Sequence, residues 1–154
     1  MRLLWEVADF VRAMRRQMRF GELSRAPLKL LRVEIHNEAV ECAWVARPAD
    51  IWDSSLRRPA KDRNESLQAL TDAIAVRHLV FEAFPQIDCA VLRVFRPSAT
   101  GTLQLIIAGE VTREQEASRY TASLAMRAKL IGFRFWLEDG ILGSLQSEEC
   151  AMSF

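Results

Sequence analysis

Chemistry in this chain could be built on only two histidines, three cysteines and a scatter of carboxylates. His78 and Glu82 stand four apart on a helix-patterned segment, so both could face one cation. A zinc centre needs at least three protein ligands, however, and no further donor stands at that spacing, so neither a metal nor another cofactor is expected. His78 falls on the stripe Leu67, Leu70, Ile74 and Phe81, which predicts a hydrogen-bonded core residue; His36 lies beside a predicted turn. Nucleophilic catalysis would need a Gly-x-Ser-x-Gly elbow or a cysteine at a helix N-terminus. Neither pattern occurs, and Cys42 and Cys89 fall on predicted strands as small apolar fillers. The six glycines form neither a Gly-x-Gly-x-x-Gly nor a Walker pattern that could cradle phosphate. Asp50 and Asp53 could act as acid and base only beneath a folded loop. The expectation is a chain without catalytic residues.

Two segments have binding chemistry instead. In "VRAMRRQMRF" (11–20), Arg12, Arg16 and Arg19 recur at i, i+4 and i+7 with Arg15 alongside. They share one helical face, opposite Leu3, Val7, Phe10, Met14 and Met18. Such a face could neutralise phosphates, or lie on an anionic membrane with Trp5 near one end. It could also be the wet side of a packed helix, and the apolar stripe favours this third role. In "RPADIWDSSLRRPAKDR" (47–63), Trp52 precedes Arg57, Arg58, Lys61 and Arg63. An aromatic anchor beside arginines is the composition of partner interfaces. Trp52 folded back over the core is the competing expectation.

The elements that must position these residues follow from periodicity. Apolar spacing predicts a helix over 2–20, ended by Gly21. "LKLLRVEIH" (28–36) alternates, with Leu31, Val33 and Ile35 on one side and Arg32, Glu34 and His36 on the other. "AVECAWVA" (39–46) places Val40, Cys42 and Trp44 together, and Asn37-Glu38 makes the turn of a hairpin. The stretch 47–63, with two prolines and no period, reads as a long irregular loop. Asp62 and Glu65 then form a capping-box pattern before a broadly apolar helix over 65–84, stopped by Pro85. "DCAVLRVFR" (88–96) and "TLQLIIAGEV" (102–111) predict a second hairpin. Thr112 predicts the cap of a helix over 113–131, ended by Gly132. "FRFWL" (133–137) reads as a fifth strand that exposes Trp136 on one face or leaves an open edge, and 139–154 as a polar tail.

The predicted fold is a single α+β domain over 1–154 in the order α-ββ-α-ββ-α-β, a mainly antiparallel five-stranded sheet with helices on one face. Length supports one domain: 154 residues bury roughly 68–70% of the unfolded surface without a staple. Twenty-one basic against 20 acidic side chains give a net charge of +1, so any polyanion affinity must come from a local patch. The excess is basic over 1–32 and acidic from Arg134 onward. Three separated cysteines, without a Cys-x-x-Cys pair or an unbroken apolar leader, predict a cytoplasmic location. The second half, with Gly109, Val111 and Gly132 around an alanine-rich helix, resembles the BON domain, a lipid-associated module. That likeness covers roughly half the chain and implies no residue roles. The functional expectation is a non-catalytic interaction or scaffold domain, self-associating as a homodimer. The alternatives are a peripheral binder of anionic lipid or nucleic acid through the basic helix, and an enzyme with its site under 47–63.

Overall fold

A computed structural model describes residues 2–18, 24, 26–48, 57–115 and 123–145. The elements are α1 (Arg2–Gln17), β1 (Lys29–His36), β2 (Ala39–Val45), α2 (Arg58–Ala83), β3 (Cys89–Pro97), β4 (Leu103–Thr112), α3 (Leu124–Ile131), β5 (Phe133–Arg134), β6 (Trp136–Glu138) and β7 (Ile141–Gly143). The first five strands form one sheet in chain order, and β6 and β7 pair separately. Neighbours in the large sheet are antiparallel except β2 and β3, which are parallel. The α+β class therefore stands, but the sheet is mixed. The reason is α2: a 26-residue helix carries the chain back along the strand axis, so β3 restarts in the direction of β2.

Why α2 is longer than its apolar pattern suggests lies in Pro59. Proline read as a loop breaker instead occupies the first turn of the helix, where no N–H is needed. The helix begins at Arg58, so 58–63 belongs to α2, and Asp62 and Glu65 lie inside it without capping it. Residue 84 ends it as predicted, its N–H bonding the Val80 carbonyl at 2.9 Å. The stripe is also rotated from expectation. Leu67 is exposed and His78 points to solvent beside Glu82 (Nε2–Oε2 3.5 Å), while Leu70, Ala73, Val76, Val80 and Phe81 face inward. The polar residues Gln68 and Asp72 are buried too, and that inward polar pair hides the true face from a simple hydrophobic count.

Beyond β4, of the predicted helix over 113–131, residues 113–115 are not helical and Leu124–Ile131 forms α3, while 116–122 lies outside the described residues. The N-cap of α3 is Ser123, whose hydroxyl accepts the Met126 N–H at 3.0 Å. Thr112 and Gln115 do exchange side-chain and backbone hydrogen bonds at 3.3 Å, although Arg113 is not helical. Its guanidinium instead donates to the carbonyls of Phe81 and Phe84 at 2.9 Å and Ile87 at 2.7 Å, closing the C-terminus of α2. Gly132 (φ +122°) ends α3, and its carbonyl lies 2.8 Å from where a Cβ on Gly109 would stand. No larger residue fits at 109 while β4 and β5 stay paired. "FRFWL" breaks at Phe135: Phe133 and Phe135 are buried, whereas Trp136 and Leu137 are exposed on β6. Asp139 and Gly140, both at positive φ, then turn the chain into β7, so 139–145 is a hairpin arm with buried Leu142 and Leu145.

Core residues from all three helices and the sheet form one cluster. Phe10, Met14 and Met18 of α1 join Val40, Cys42 and Trp44 of β2 and Ala90, Leu92 and Val94 of β3. Phe10 meets Phe84 at a ring separation of 5.6 Å. In β1 the core positions are Leu30, Val33 and Ile35; a bulge between Leu30 and Arg32 turns Leu31 out to solvent. No helix among the described residues is long and apolar enough to cross a membrane.

Candidate functional site

Alternation leaves the second sheet face without a helix over it, among the described residues. Register places its side chains in four rows. One row is His36, Ala39, Cys89 and Thr112; the next is Glu34, Glu41, Val91 and Glu110. The third is Arg32, Ala43, Arg93, Ala108 and Arg134; the fourth is Lys29, Val45, Phe95 and Leu105. An acidic row thus adjoins a basic row about 7 Å away, two residues along the strands. Only the β4 corner is sealed, where Leu145 packs on Leu105, Ala108 and Phe95. The other apolar residues of the face, Ala43, Val45 and Val91 among them, are half-buried.

At the hairpin end of this face, Glu34, His36 and Glu41 bring one donor atom each within 4.8 Å of one another. Sequence reasoning named His36 without its partners, because only the β1–β2 register brings Glu41 opposite Glu34. Glu34 also accepts from Arg32 at 2.5 Å and bonds His36 at 2.7 Å. Those two bonds, Arg32 first, hold its carboxyl down at about 2. Arg32 therefore competes with any cation for that oxygen.

The arginines of α1 are exposed: Arg12, paired with Asp9, together with Arg15 and Arg16. Arg12 and Arg16 line a groove against α2 that also holds Asp9 and Glu82, so the local charge is mixed. Phe10, Met14 and Met18 are buried under α2 and the sheet, while Trp5 is exposed near the start of α1, so the stripe itself is not free for insertion. Arg19 lies outside the described residues, as do Trp52, Asp50 and Asp53. Arg57 and Arg58 are exposed at the N-terminus of α2.

Arg58 borders a cleft of about 590 Å³. This cleft opens where the parallel strands β2 and β3 end and α2 begins, between Arg47, Arg96, Asp62 and Ser66. In its wall Arg47 is buried, its Nε 2.9 Å from Asp72 Oδ2. Gln68 donates to the other Asp72 oxygen at 2.8 Å. Burial nevertheless pushes the Asp72 carboxyl up to about 6, against the pull of Arg47. Arg96 is engaged with the Leu142 carbonyl at 2.6 Å, and Ser66 accepts the Leu142 N–H at 2.9 Å. These groups hold the β6–β7 arm against α2 and serve the fold first.

The chain matches no protein-family model, no curated protein and no solved structure. The turn glycines behind the likeness to the BON domain therefore carry no family assignment, and their role is the contact of Gly109 with Gly132.

Proposed function

We propose that this chain is a small non-catalytic interaction domain that self-associates. The supporting observation is the sheet face opposite the helices, where half-buried apolar side chains lie within and beside two adjoining rows of opposite charge. Among the described residues most of this face stays open, and it leaves apolar area in water that a partner would remove, at about 25 cal/mol per Å². Exposed Trp136 on β6 offers a second apolar contact. The free thiols of Cys42 and Cys89 fit a reducing compartment, and we place the protein in the cytoplasm. Sedimentation velocity from about 1 to 200 μM is the test, a span set by the micromolar affinity of small interfaces. The sedimentation coefficient is expected to rise with concentration. A single monomer boundary across that range would dismiss self-association.

A second function is favoured by the cleft at the carboxyl ends of β2 and β3, the position where parallel strands and a following helix most often receive small ligands. Its volume falls within the range of ligand pockets, and Arg47, Arg58 and Arg96 beside Asp62 and Glu65 suit a polar molecule with both charges. A thermal-shift panel of amino acids and nucleotides tests it; no stabilisation by any of them removes it.

A further inference from the structure

We infer that the occupant of the open sheet face is a second copy of this chain, related by a two-fold axis that runs along the rows between the acidic and the basic one. This rests on the self-association proposed above and assigns it a surface and a geometry. A two-fold axis lying in the interface, perpendicular to the strands, keeps each strand over its own counterpart and exchanges the rows on either side. The acidic row of one copy then meets the basic row of the other.

Residue sizes along β2 fit this exchange too. Glu41 of β2 faces Ala43 of the second copy, which leaves room for the carboxylate. Val91 of β3 faces Arg93 of the second copy, which reaches across to that Glu41 one strand away. Glu34 faces Arg32 on β1, so the bond these residues make within one chain is traded for the same bond between chains. In the outer rows Ala39 of β2 faces Val45 of the second copy, and on β1 His36 faces Lys29. Small side chains thus meet large ones along β2 under a single operation.

The available area sets the expected strength. The four long strands β1 to β4, of 7 to 10 residues each, at about 4.8 Å apart and on a 3.3 Å rise, span roughly 19 by 26 Å. That gives about 500 Å² per copy and about 1,000 Å² in total, the low end of specific interfaces. Aligned packing at about −30° accommodates the sheet twist. The dimer is therefore a reversible, micromolar one, and salt weakens it because its charges stay near solvent.

The test is charge exchange by sedimentation equilibrium. Arg93→Glu alone places carboxylates against Glu41 of the second copy, and Glu41→Arg alone places guanidinium groups against Arg93. Each variant is expected to dissociate at least tenfold more readily than wild type, at unchanged circular dichroism and melting temperature. An equimolar mixture of the two variants restores Glu–Arg contacts across the interface and is expected to recover association to within a few fold of wild type. Recovery in the mixture is a readout that a folding defect in either chain would not produce. If wild type associates but neither variant weakens it, this geometry is overturned while self-association stands, and Trp136→Ser then reports whether the β6–β7 arm is the contact. If wild type stays monomeric, self-association and the geometry fall together.

Discussion

Arg47 and Asp72 illustrate at the residue scale how a charge pair can be costly to keep and costlier to break. Both are almost fully buried, and the 2.9 Å contact offsets only part of their desolvation, as the raised Asp72 carboxyl records. Asp72→Asn leaves a buried guanidinium without its counter-charge and is expected to destabilise by about 3 kcal/mol. The double change Arg47→Met and Asp72→Leu is expected to be neutral or stabilising in urea denaturation. The pH dependence has a definite sign. Between about pH 4 and 6 the native carboxyl keeps a proton that the unfolded chain has released, so unfolding free energy falls as pH rises through that window. The double variant is expected to lose this slope. Asp72 was not legible as buried from the sequence, because a carboxylate amid helical polar residues ordinarily faces water.

At the element scale, the C-terminus of α2 depends on a residue thirty positions away. Arg113 spreads one guanidinium over three carbonyls at 2.7 to 2.9 Å and stacks 4.9 Å above the Phe81 ring. Arg113→Ala is expected to destabilise by about 2–4 kcal/mol, since hydrogen bonds to a charged donor contribute most when half-buried. Calorimetry would then show the melting temperature falling by roughly 5–15 °C for a domain of this size. Arg113→Lys, which keeps the charge and loses the fork, is expected to fall between. A fall of less than 1 °C with alanine would show that water caps the helix equally well. Local pattern gave Arg113 a place in a third helix; its contacts with α2 are long-range and leave no periodic trace. The opposite holds for the Asp139-Gly140 turn and for Pro59 at the start of α2. Both are short-range signals that a closer reading of turn chemistry and helix starts could have found.

For the whole molecule, the arginines of α1 make a smaller claim than their density suggests. The net charge is +1, Arg12 is paired with Asp9, and the apolar stripe is committed to the core. Little retention on heparin is expected at physiological salt, where the Debye length is about 8 Å. Steep, salt-sensitive retention that disappears with Arg12→Glu and Arg16→Glu would restore binding to anionic lipid or nucleic acid.

By itself the sequence determined the α+β class, both hairpins, the stop of α2 near Pro85 and the row positions of Val40, Cys42 and Trp44, because these depend on residues two to four apart. Tertiary structure alone decided that β2 and β3 are parallel, that His78 faces water, and that Glu34, Glu41, Arg32 and Arg93 share one face in adjoining rows. The physical reason is register. A strand's alternation tells which residues share its own face, but only pairing with a neighbour tells which residue of another strand stands beside them.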